Sequence, residues 1–206
     1  FAAARRGEPG AAAELARLVD NVLQPAIVRA SALELLAGYP DGVGTTALRA
    51  SLLADEPLLR VTAVSQLEVA DPAERVARLA PLLADPVKAV RLAAASRLAG
   101  VPGGLLRPYQ REALEQGIAE YRAAMAYSLD FASSGMNLGN LETALGNPAE
   151  AERFFRLALE VDDLFFPAKV NLAVLASGQG RHEEAATLLR EVLEEMKSIS
   201  AGRPDA

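Results

Sequence analysis

Asn137-Leu138-Gly139-Asn140 returns as Asn171-Leu172-Ala173-Val174, at a period of 34, and the agreement continues downstream: Gly146 matches Gly180, Ala151 matches Ala185, and Phe155 matches Leu189. Self-similarity at a fixed period of this length marks stacked units that cannot bury their apolar faces alone. The residue types suit a pair of packed helices. Gly146 and Gly180 fall where one helix must stop and the chain turn. Ala151 and Ala158 are small enough for close helix approach, and Phe155 fills the space between them. Gly117, Tyr121 and Ala124 repeat the second-helix pattern one period earlier, on a helix expected over 108–129. With no recognisable partner before it, that helix reads as a half repeat joining two arrays.

Ahead of it a second periodicity appears, with a period of 31. Arg29, Arg60 and Arg91 are evenly spaced at that interval, and so are Ala32, Ala63 and Ala94, and Leu36, Leu67 and Leu98. The turn Leu52-Leu53-Ala54-Asp55-Glu56-Pro57 returns as Leu82-Leu83-Ala84-Asp85-Pro86. Asp is expected to cap the following helix and Pro to open it, where the missing N–H costs nothing. The loop Gly38-Tyr39-Pro40-Asp41-Gly42-Val43-Gly44 separates the first two units. Val101-Pro102-Gly103-Gly104 breaks the pattern.

The second-half units resemble tetratricopeptide repeats, with Asp163 where that family has Pro and with Gly135 and Lys169 where it favours a large aromatic. The first-half units resemble HEAT repeats through the Val28-Arg29 and Val90-Arg91 pairs, with Leu59-Arg60 and the short period as departures. The expected fold is all-α, an α-solenoid of about eleven helices. Its divisions are a HEAT-like array over 1–100, a linker over 101–107, a tetratricopeptide array over 108–200 and a tail over 201–206.

Composition narrows the function. The chain has 206 residues, no Cys, no Trp and one His. Disulfides, iron–sulfur clusters, thiolate zinc sites, cysteine nucleophiles and covalent c-type haem attachment are excluded within it, while the redox compartment stays open. Net charge is −6, and counting by halves places it: residues 1–104 carry 11 basic and 11 acidic side chains, residues 105–206 carry 10 and 16. Proteins that grip phosphate backbones show the opposite bias, so no nucleic-acid partner is expected. No apolar run approaches the roughly 20 residues of a membrane span. A start at Phe1 rather than Met reads as a processed product or a piece of a longer chain.

Few residues suggest chemistry. His182, in Gly180-Arg181-His182-Glu183-Glu184, has no nearby partner for a base or ligand role and reads as a solvated turn residue. Gly178-Gln179-Gly180 and Gly42-Val43-Gly44 follow no strand and read as turns, not phosphate loops. The Arg29–Arg60–Arg91 ladder has two readings: an anion-binding stripe, or pairing with Asp side chains and carbonyls near Asp55 and Asp85. Glu183-Glu184, Glu191, Glu194-Glu195 and Asp162-Asp163 read as solvated helix faces. In Phe154-Phe155 and Phe165-Phe166 neighbours point about 100° apart, so one of each pair belongs to the core and the other is a binding candidate. No catalytic, cofactor-binding or metal-ligating residue is assigned.

The tetratricopeptide resemblance implies that Asn137, Asn140 and Asn171 line a groove, where some relatives clamp a partner's C-terminal carboxylates with Asn plus Lys and Arg. Here Met136 and Val170 stand beside those Asn residues and only Lys169 is close. The expected protein-binding surface is therefore rather apolar: Met136, Asn137, Asn140, Val170, Asn171 and Val174. A second surface is expected on the last helix, about 181–197, where some of Val192, Leu193 and Met196 are left open. It would serve self-association, as a dimer or a filament, unless the natural chain continues past Ala206 with another repeat.

The whole stretch is also similar to the C-terminal region of a bacterial family of multihaem c-type cytochromes. The similarity rests on the order of parts and on Pro25-Ala26-Ile27-Val28-Arg29-Ala30, Pro81-Leu82-Leu83-Ala84-Asp85-Pro86, Ile118-Ala119-Glu120-Tyr121 and Pro167-Ala168-Lys169-Val170-Asn171-Leu172-Ala173. That resemblance implies an exported protein, periplasmic or extracellular, with a haem domain preceding Phe1 and this chain as its haem-free part. Three functions remain open: a non-enzymatic protein-interaction scaffold without cofactor, an accessory region of an electron-transfer protein, or a self-assembling structural subunit.

Overall fold

A computed structural model describes residues 1–39 and 42–201, with side chains described up to Ile199. The fold is an all-α helical-repeat solenoid, with no strand among the described residues. The chain divides into two compact units, Phe1–Ile118 and Ala119–Ala206.

Unit 1 contains α1 (Ala2–Arg5), α2 (Ala11–Asp20), α3 (Ala26–Ala37), α4 (Val43–Ser51), α5 (Pro57–Gln66), α6 (Pro72–Leu79) continued by a 3-10 turn (Ala80–Ala84), and α7 (Lys88–Leu98). A second 3-10 turn (Gly103–Leu105) follows, and the unit ends in the first half of α8 (Pro108–Tyr127). The shorter of the two sequence periods is the packing rule of this unit. Helices α3, α5 and α7 lie side by side. Ala32, Ala63 and Ala94 are all 0% exposed, and Leu36, Leu67 and Leu98 are buried with them. A methyl group at each crossing brings the backbones close, and a leucine one turn on fills the layer. The segment 101–107, expected as a linker, buries Leu106 in the same core. The loop expected at Gly38–Gly44 includes Pro40 and Asp41, which lie outside the described residues, as does the tail from 202 onward.

The expected Asp caps are corrected. Helix α5 does open on Pro57, but Glu56 precedes it without a side-chain cap. Helix α7 opens at Lys88, two residues after Pro86, and Asp85 does not cap it. The Asp85 carboxylate instead accepts the Val87 N–H at 2.8 Å and a two-pronged pair of bonds from Arg60. A capping Asp does occur at Asp71, which accepts the N–H groups of Ala73 and Glu74 at the start of α6.

Unit 2 contains the second half of α8, then α9 (Ala132–Ala144), α10 (Pro148–Val161), α11 (Phe166–Gly178) and α12 (His182–Ala201). The turns α9–α10 and α11–α12 are built alike. Gly146 and Gly180 take φ of +78° and +80°, which only glycine adopts without strain. After each, the next amide reaches back across the helix end, Asn147 N–H to Glu142 C=O at 2.8 Å and Arg181 N–H to Ala176 C=O at 2.9 Å. Between α9 and α10 the contact depends on two glycines one turn apart. A Cβ on Gly135 would lie 3.1 Å from the Ala158 methyl, and one on Gly139 would fall on the Phe155 ring, 2.9 Å from Cζ. Gly135 thus replaces the expected aromatic with close helix approach.

Candidate functional site

Helices α9, α10 and α11 enclose an open groove of about 540 Å³. Asn140 and Thr143 line it from α9, Pro148 and Phe155 from α10, and Asn171, Val174 and Leu175 from α11. Gly146, Gly178 and Gln179 complete it. Phe155 is buried in the core beneath, against Ala151 and Leu172, and fixes the floor. Val174 is 65% exposed at the rim. None of the lining residues is charged.

The polar part of the groove is an amide pair. Asn171 Nδ2 donates to Asn140 Oδ1 at 2.8 Å. That bond uses one donor of one amide and one acceptor site of the other. Asn140 Nδ2 and Asn171 Oδ1 have no partner among the described residues, so the pair presents a donor and an acceptor to the groove.

Of the six residues expected to bind protein, Asn140, Asn171 and Val174 come together here. Met136, Asn137 and Val170 do not line the groove. Met136 packs into the core against Ala132, Ala158 and Phe155, and Asn137 reaches back to Met125 Sδ of α8 at 3.7 Å. Val170 is half-buried on α11. Lys169 is turned to the other side of α11. It is buried and donates to both carboxylate oxygens of Glu195 at 3.0 Å, with Glu191 at 3.8 Å. No lysine is left to build a carboxylate clamp beside Asn140 and Asn171. The groove floor and Gln179, which sequence reasoning did not assign, come from residues read as core or turn.

The remaining candidates fall into place. Arg60 and Arg91 are engaged as the ladder's second reading expected: Arg60 with Asp85 and the carbonyls of Ala54 and Asp55, and Arg91 with the carbonyls of Asp85 and Pro86. Arg29 donates to the Val19 carbonyl at 2.8 Å. Arg60 and Arg91 tie the turn before their helix to that helix, and Arg29 ties α3 to the last turn of α2. Burial alone would push the Asp85 carboxyl up; the Arg60 and Val87 hydrogen bonds and the charges of Arg60 and Arg91 outweigh it and hold it below the usual value. Glu142 is similar: burial is overcome by hydrogen bonds from Arg122 and Asn147, and its pKa is lowered. His182 is the exposed first residue of α12 and lies 3.5 Å from Ser177 Oγ. Of the four paired phenylalanines, Phe155 is buried and Phe154, Phe165 and Phe166 are half-buried, with Arg153 stacked 4.1 Å over Phe154. Among the described residues no three His, Asp or Glu side chains gather as a metal site.

On α12, Val192 is 6% exposed and drops out of the expected open face. Leu193 at 56% and Met196 at 50% remain on it, joined by Leu189 at 42%.

Residues 131–161 and 167–191 match models of the tetratricopeptide repeat. The chain thus carries two tetratricopeptide repeats, α9–α10 and α11–α12. The groove lies between the first helices of these two repeats, and Asn171 stands in the second at the position that Asn137 holds in the first. No curated protein and no solved structure matches the chain. Nothing among the comparisons supports the multihaem cytochrome resemblance. No helix among the described residues is long and apolar enough to cross a membrane.

Proposed function

We propose that the chain is a non-enzymatic interaction scaffold whose tetratricopeptide repeats hold an extended, uncharged segment of a protein partner between α9 and α11. One observation carries this reading: the Asn140–Asn171 amide pair over an apolar, charge-free lining. An extended segment offers backbone N–H and C=O groups along its length. Asn171 Oδ1 accepts from one such N–H and Asn140 Nδ2 donates to one such C=O. Phe155, Leu175 and Val174 take an apolar side chain. The site selects against a terminal carboxylate, because Lys169 is held by Glu195 on the far side of α11.

Selection of peptides from a displayed random library tests it. Selected peptides should be apolar and uncharged at their centre. Their affinity should fall about tenfold or more with Asn171→Ala and with Val174→Glu. Peptides that bind only through a free C-terminal carboxylate, or that ignore both substitutions, refute the proposal. The accessory role beside a haem domain rests on the resemblance alone. It has its own test, a search of the reading frame ahead of Phe1 for Cys-x-x-Cys-His motifs.

A further inference from the structure

One end of the groove departs from the repeat pattern at two adjacent residues. A shift of one tetratricopeptide period superposes Ala144 on Gly178 and Leu145 on Gln179, and both second-repeat residues line the groove. The fold does not require a glycine at 178. It is the last residue of α11, its φ is not in the left-handed region, and a Cβ on it would meet nothing within 4 Å. Alanine is the better helix former and holds this place in the first repeat. The missing side chain leaves space in the groove wall. Gln179 is held by its oxygen. Arg181 Nε donates to Gln179 Oε1 at 3.0 Å, and Arg181 Nη2 donates to the same atom. A guanidinium has no acceptor, so the oxygen must be the atom that faces it. Arg181 is in turn held by Glu152 at 2.6 Å and Glu184 at 2.7 Å. Gln179 Nε2 has no partner among the described residues, which leaves its donors to a bound molecule.

We infer that Gly178 and Gln179 read the main chain of the bound segment: Gly178 admits its backbone against the end of α11, and Gln179 Nε2 donates to one of its backbone carbonyls. This rests on the groove's holding an extended peptide. Gln179 stands eight residues after Asn171, about 12 Å along a helix. An extended chain covers that length in about three to four residues. The Asn140–Asn171 pair and Gln179 thus grip the segment at two points, with Val174 and Leu175 between them on α11. A backbone carbonyl is preferred over a side-chain one because an absent Cβ is what lets a main chain come close. Arg181 acts through Gln179, as a positioning residue that fixes which end of the amide faces outward.

The probe is a peptide selected on the parent chain from the displayed library, synthesised with an amidated C-terminus and titrated into the full chain. Gly178→Ala and Gln179→Leu install the residues of the first repeat, so both variants should fold, and Gly178→Ala should melt at or above the parent's Tm. Each should nevertheless weaken the peptide about tenfold or more. Arg181→Met should weaken it in the parent and add nothing in the Gln179→Leu chain, a non-additivity that a purely structural role for Arg181 would not produce. An alanine scan of the peptide should leave the effect of Gln179→Leu in place at every position. A peptide that responds to Asn171→Ala but ignores Gly178→Ala and Gln179→Leu overturns this inference and leaves the groove reading standing. Failure to select any peptide sensitive to Asn171→Ala overturns both. A lower Tm for Gly178→Ala assigns the glycine to the fold, and a single peptide side chain whose truncation abolishes the Gln179 effect assigns the contact to that side chain; either result overturns the inference.

Discussion

Removing the Asp85 carboxylate should cost unit 1 more than any surface change, and the cost should depend on pH. The Asp85 side chain is 5% exposed and Arg60 12%. Arg60 reaches it with Nε at 2.7 Å and Nη2 at 3.0 Å, and Val87 N–H adds a third bond at 2.8 Å. Truncation to Ala strands a buried guanidinium, a loss of about 3–5 kcal/mol where nothing else compensates. Here Arg60 Nη1 keeps the carbonyls of Ala54 and Asp55, at 2.7 and 2.9 Å, which places Asp85→Ala near the lower end, about 3 kcal/mol. Asp85→Asn keeps an acceptor for Val87 but loses the charge, and should cost about 1.5–3 kcal/mol. For a unit of this size, Asp85→Ala lowers Tm by roughly 10–15 °C.

The pH dependence follows from the direction of the Asp85 shift. Its pKa is depressed in the folded state, so its contribution is fully present above the unfolded value of about 3.9. The contribution is lost as pH falls below that value and through the folded pKa. The gap between parent and Asp85→Ala should therefore be widest near neutrality and close in acid. Urea unfolding read by hydrogen exchange in α5 and α7 isolates unit 1. A cost below about 1 kcal/mol at neutral pH, or one unchanged in acid, refutes the reasoning.

Two further substitutions probe unit 2. Gly139→Ala should cost about 1–3 kcal/mol by driving a methyl into the Phe155 ring, and Phe155→Leu in the same chain should recover part of it; thermal melts of the single and double variants measure both. Lys169→Met should change stability by less than about 1.5 kcal/mol, because the freed Glu191 and Glu195 are solvent-accessible, whereas Glu195→Ala should cost more by leaving the buried Lys169 ammonium with Glu191 at 3.8 Å; denaturant titration gives the order.

Repeat periods made the packing legible. A position that recurs once per repeat meets the same neighbour each time, so Ala32, Ala63 and Ala94 declare the crossing of α3, α5 and α7 without any structure. Bonds between turns were not legible. Asp85 before Pro86 has the local form of a cap, and nothing nearby in sequence reveals that the distant Arg60 takes its carboxylate. The groove was half legible for a reason of helix geometry. Asn137 and Asn171 share a repeat position, and at that position each helix faces the one before it: Asn171 meets Asn140 of α9, but Asn137 meets Met125 of α8. A groove between two consecutive first helices therefore needs the trailing face of α9, Asn140 and Thr143, and the leading face of α11, Asn171 and Leu175.

The same geometry explains the two misplaced neighbours. Lys169 and Asn171 are two positions apart, which on a helix is about 200° of rotation, so one cannot stand beside the other in a groove. Lys169 faces α12 because its ammonium is satisfied there by Glu195. Val192 and Leu193 differ by about 100°, and Val192 turns into the core while Leu193 faces outward. Proximity in sequence suggested shared sites at both places. Rotation about the helix axis divides them, leaving an uncharged groove at Asn171 and an apolar face at Leu193 with Arg190 at its edge.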